Sequence, residues 1–120
     1  MKKKILVIDP AKGIREVLEK ILVDGGHDVF TVPSALRGNE QLNSLTVTYD
    51  LVTINLTPGK VNARQFLQAV RMKSDIPIIL ITGGPVDTSE MLAVGFADVI
   101  RKPFGRDELL TAVAKVLPTQ

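Results

Sequence analysis

No cysteine occurs in the 120 residues, so neither a disulfide framework nor a thiolate metal site can be built from this chain. Histidine occurs once, as His27 directly after a Gly-Gly pair. With no cysteine or second histidine to join it, a metal or phosphorelay role for His27 is not expected. Long apolar runs are also missing. The opening Met1-Lys2-Lys3-Lys4 leads into only Ile5 to Ile8, too short for a signal-peptide core and far too short for a membrane span. A soluble cytoplasmic protein with no membrane partner is therefore expected. Charge of one sign is not concentrated either: the net charge is +2, and beyond the opening lysines the basic residues are scattered. That pattern leaves no electrostatic footprint for nucleic acid, and the lysines read as solvation of a strand near a sheet edge. Repeats, linkers and low-complexity segments are absent as well, and the length suits one domain, residues 1–120.

What is present is an alternation of two patterns. Ile5-Leu6-Val7-Ile8 is a short aliphatic run, followed by Ile14, Val17, Leu18, Ile21 and Leu22 at the spacing of an amphipathic helix. Gly25-Gly26 stops that helix. Val29 to Val32 predicts a second strand, and Ser34 a cap for a helix carrying Ala35, Leu36 and Leu42. The segment Asp50 to Gly59 organises the chain, with a buried strand over Leu51 to Ile54, then Asn55, then a Pro58-Gly59 turn. Ala63, Phe66, Leu67 and Val70 mark a third helix, and Ile78 to Ile81 the most apolar strand. Asp87 and Glu90 have capping-box spacing for a fourth helix closed by Gly95. Val99 and Ile100 belong to a fifth strand. Leu109, Ala112, Val113, Val116 and Leu117 line a fifth helix that opens with Asp107 and Glu108. Runs that are apolar on both faces, each followed by a helix, predict an α/β fold: a parallel sheet covered on both sides by right-handed crossovers.

In such a sheet the carboxyl ends of the strands form the ligand edge. Asp9 with Pro10, Asn55, Thr82 and Lys102 meet there. These residues, together with Arg15, Asp50-Leu51-Val52, Pro77 to Thr82, Gly95 and Lys102-Pro103-Phe104, fall in the order found in the receiver domain of bacterial response regulators, which the chain resembles over essentially its whole length. The resemblance implies a doubly wound, flavodoxin-like sheet of strand order 2-1-3-4-5 flanked by five helices. It also implies an aspartate that accepts a phosphoryl group from a histidine kinase, an acidic pair that holds Mg²⁺, a switch hydroxyl with an aromatic partner, and a lysine. By position these are Asn55 for the phosphoacceptor, Asp9 and Pro10 for the acidic pair, Thr82 and Val99 for the switch, and Lys102.

Two of these departures change the chemistry. The neutral amide of Asn55 is not an anionic nucleophile, and Pro10 removes a hard oxygen ligand that Mg²⁺ would use. The expectation is weak or absent Mg²⁺ binding, no cofactor, no enzymatic activity and a phosphorylation-independent interaction module. Its partner would be a histidine kinase or an output protein, or a second copy through the fourth helix, fifth strand and fifth helix, where Met91 is expected to be exposed. Structural roles stand beside these functional ones. Pro10 suits the first turn of a helix, Asn55 can bridge Lys102 and backbone groups, Asp9 and Lys102 can persist as an ion pair, and Thr82 can be a strand-end hydroxyl. The alternatives are a phosphoaccepting receiver carrying an engineered Asp-to-Asn change, against which Pro10 and a reshaped Pro58-Gly59 turn argue, and a flavodoxin-like nucleotide binder. Asp9-Pro10-Ala11-Lys12-Gly13 lacks the glycine spacing and hydroxyls of a phosphate cradle.

Overall fold

Central strands with apolar residues on both faces are buried only if both sides of their sheet are covered, and the computed structural model shows this arrangement. It describes residues 2–55 and 62–117; the expected Pro58-Gly59 turn lies outside them. The elements run β1 (Lys4–Ile8), α1 (Lys12–Asp24), β2 (Asp28–Val32), α2 (Ala35–Leu42), β3 (Leu51–Ile54), α3 (Ala63–Arg71), β4 (Ile78–Thr82), α4 (Thr88–Val94), β5 (Asp98–Arg101) and α5 (Arg106–Val116). All strand pairs are parallel, in the order β2-β1-β3-β4-β5. None of the described helices is long and apolar enough to cross a membrane.

Successive residues of each inner strand point to opposite faces, which splits the core in two. Leu6, Ile8, Val52, Ile54, Ile78 and Leu80 pack with Phe66, Leu67 and Val70 of α3. Ile5, Val7, Leu51, Ile79 and Ile81 pack with Leu18 and Leu22 of α1 and Leu109 and Val113 of α5. The fit is close: at Gly38 of α2 an added Cβ would lie 2.3 Å from Ile8 Cδ1, so a side chain there would force the Ile8 side chain or the helix to shift.

Helix boundaries follow local chemistry. Ser34 accepts from the Arg37 amide, and Asn62 and Gln65 form a reciprocal capping box. Asp87 accepts from the Glu90 amide, but Glu90 does not complete the expected box, because its carboxylate turns to Arg64. Gly95 closes α4 at φ +124°, a conformation glycine adopts without strain. Two helix faces are narrower than the apolar spacing predicted. Val17 is half exposed and Leu36 is 68% exposed, because the covered stripe does not extend to every apolar position. Met91, expected on the surface, is instead partly buried against the core.

One polar group sits awkwardly in the central strand. Thr53 is fully buried and its hydroxyl has no hydrogen-bond partner among the described residues. An unsatisfied hydroxyl carries its full desolvation penalty, whereas an apolar side chain of the same shape does not. Thr53→Val is expected to raise the unfolding free energy by about 1 kcal/mol, read as a higher urea midpoint at unchanged slope; a lower midpoint would show that the hydroxyl is satisfied.

Candidate functional site

Strand register places the polar residues. Ile8 pairs with Ile54 across β1 and β3, and the Asn55 amide donates to the Ile8 carbonyl at 2.9 Å. Asp9 and Asn55 thus emerge side by side, one residue past the sheet. At the other flank, β4 and β5 pair up to Thr82 and Arg101, and the Lys102 amide donates to the Thr82 carbonyl at 2.8 Å. The Lys102–Pro103 peptide is cis.

Asp9 is the centre of this edge. It is fully buried, and both carboxylate oxygens are engaged. Oδ1 accepts the Ala11 amide at 2.9 Å. Oδ2 accepts the Asn55 side-chain amide at 3.2 Å and the Lys102 ammonium at 3.4 Å. Its backbone carbonyl accepts Arg15 Nη1 at 2.7 Å. The Asp9–Lys102 pair is therefore present as expected, with Lys102 only 23% exposed. The expected bridge from Asn55 to Lys102 is not formed, because Asn55 donates to the carboxylate that Lys102 also engages. Pro10 is exposed and precedes the helix, with Ala11 at the cap and Lys12 the first helical residue; it does not occupy the first helical turn as the sequence suggested.

The remaining predicted site residues stand further from this cluster. Thr82 is half-buried and its hydroxyl closes its own turn, accepting the Gly84 amide at 3.1 Å. Val99 is paired to Leu80 and packs partly buried against the core. His27 is half-buried with Nδ1 enclosed and unpartnered among the described residues, and burial pushes its pKa below the usual 6.5. Contacts not foreseen from sequence are those of Arg15 with Asp9, Arg64 with Glu90 and Arg101 with the loop before α4. Only Arg15 had a local signal, since it lies one turn into the helix that Asp9 precedes.

A Mg²⁺ site of the kind the fold implies does not fit these residues. Asp9 contributes the one carboxylate, an ammonium already engages its Oδ2, and the neighbouring positions hold Pro10 and the amide Asn55. Magnesium binding needs hard oxygen ligands and is usually anchored by carboxylates. Among the described residues no group of three or more His, Cys, Asp or Glu is placed to hold a metal ion.

Together, the strand order and the Asp9, Thr82 and Lys102 positions at one sheet edge define a receiver-type α/β domain. Residues 5–114 match the family model for the response regulator receiver domain, and the chain belongs to that family. It is similar to the regulatory protein VirG of Agrobacterium fabrum, 31% identical over 118 residues that cover 96% of this chain and 46% of VirG. The probable transcriptional regulator ycf27 of Porphyra purpurea is 35% identical over 119 residues, covering 97% of this chain and 48% of that protein. The chain thus spans about half the length of these relatives. Among solved structures, the chemotaxis protein CheY4 of Vibrio cholerae has the same fold, with a TM-score of 0.86 at 24% identity, covering 98% of this chain and all of CheY4.

Two outcomes follow from this geometry. Removing the cation from a buried carboxylate leaves an uncompensated charge; Lys102→Met is expected to lower stability by about 1–3 kcal/mol at neutral pH, measured by urea denaturation. Burial of His27 disfavours its charged form. Above its ordinary pKa of 6.5 both folded and unfolded chains carry it mostly neutral, and as pH falls through that value the unfolded chain takes up the proton more readily than the folded one. Stability therefore drops with falling pH until the lowered folded pKa is passed. His27→Gln is expected to lose less stability than the wild type over this interval, read from urea midpoints on either side of it.

Proposed function

We propose that this receiver domain acts without phosphorylation, as a non-enzymatic protein-interaction module in two-component signalling. The observation that carries this is the state of the Asp9 carboxylate: buried, with Oδ2 shared between the Asn55 amide and the Lys102 ammonium. A phosphoryl-accepting edge needs an anionic nucleophile and a metal that neutralises charge. Here the nucleophile position is an amide, and the lysine neutralises the single acid.

The partner would be a histidine kinase or an output protein in the cytoplasm, or a second copy of this chain docking on α4, β5 and α5. Features of that face support the docking role. Leu92 and Val94 of α4 are 45% and 39% exposed. A cleft of about 350 Å³ between β5 and α5 is lined by Asp98, Asp107 and Glu108 and also by Lys115. Carrying both signs of charge on one patch suits a two-fold interface, in which the same surface faces itself.

The test is a backbone NMR titration with Mg²⁺ followed by beryllofluoride. The wild type is expected to show no saturable shifts at Asp9, Asn55, Thr82 or Lys102, while the Pro10→Asp, Asn55→Asp double variant regains them. Saturable wild-type shifts that spread from the pocket toward Val99 and α5 would overturn the proposal.

A further inference from the structure

A helix of seven residues cannot hold itself together by backbone hydrogen bonding, and in most proteins such a segment is fixed by an apolar face pressed into the core. α4 lacks that anchor. It contains no buried side chain, Met91 reaches the core only partly, and Leu92 and Val94 are exposed. Polar contacts at its first turn come instead from two other elements. Arg64 of α3 donates to Glu90 and forms an ion pair with it. Arg101 of β5 donates from Nη2 to the Val86 carbonyl at 2.7 Å and to the Thr88 hydroxyl at 3.4 Å.

We propose that α4 is a clasped helix: Arg64 and Arg101 hold its first turn against the body of the domain, and the helix opens as a unit when they let go. Stability is unequal within a fold, and segments with few buried apolar contacts open first. With so little apolar burial under α4, these two arginines take a larger share of its attachment than surface contacts usually do. The Arg64 and Glu90 side chains are 41% and 54% exposed, so dissolved ions reach the pair and weaken it. Opening withdraws Met91 from the core and changes the face on which Leu92 and Val94 stand. The device needs no charge at Asn55, so it holds whether or not the pocket is chemically silent.

Amide hydrogen exchange by NMR tests it on the whole chain. The reporters are the amides of Met91, Gly95 and Phe96, which donate to Asp87, Leu92 and Met91 carbonyls, with the amides of β1 and β3 as internal reference. Arg64→Gln and Arg101→Gln are each expected to speed exchange at the reporters about three-fold while the reference amides keep their rates. About 1 M NaCl is expected to speed the reporters in the wild type and to have little further effect in Arg64→Gln. Exchanging the charges, Arg64→Glu with Glu90→Arg, is expected to restore protection. Unchanged reporter rates in both single variants would overturn the clasp. So would acceleration of reporters and reference amides by the same factor, because opening would then be global unfolding.

Discussion

A carboxylate buried at the end of a strand must be answered by donors or by cations, because an unpaired charge in the interior costs several kcal/mol. Asp9 is answered from three directions. The start of α1 supplies the Ala11 amide, the end of β3 supplies Asn55, and the end of β5 supplies Lys102. Arg15, one turn into α1, holds the same residue by its carbonyl. Segments far apart in the sequence are thus drawn to one point, which holds the polar edge in shape. On the proposed reading, the geometry of the fold is kept while the chemistry of the pocket differs at Asn55 and Pro10. Asn55 still fills the place beside Asp9, and its amide offers a donor where a carboxylate would have repelled.

Much of this was legible in the residues. Continuous aliphatic runs flanked by helical spacing identified the strands and the covered sheet, and the polar residues closing β1, β3, β4 and β5 located the edge. The strand order came from family resemblance, since alternation alone fixes which elements are strands but not how they neighbour one another. The sequence points to Lys102 as the partner of Asn55, whereas its side-chain amide donates to Asp9. An amide can serve either, and only the register that aligns Ile8 with Ile54 decides between them. Val17 and Leu36 show a related limit, because spacing reveals that a helix has an apolar face and leaves open how much of that face the neighbouring elements cover. Arg64 and Glu90 are separated by α3, β4 and the turns between them. No local pattern could have paired them.

The two polar clusters along this edge differ in what can disturb them. Asp9 lies in the interior with its partners supplied by the strand ends, where dissolved salt has little access and loosening one partner strains the others. Arg64 and Glu90 lie in water, where screening and competing ions act directly. Thr82, at the boundary between them, spends its hydroxyl on its own turn, and Val99 offers no ring to swing between buried and exposed positions. On the proposed reading, a signal arriving at the pocket would meet a satisfied cluster with few moving parts to carry it onward. A signal arriving at α4 would meet a short helix with little apolar anchorage, held at its first turn by arginines that other molecules can reach. On that reading the domain responds at its surface, and the buried carboxylate keeps the rest of the edge in place.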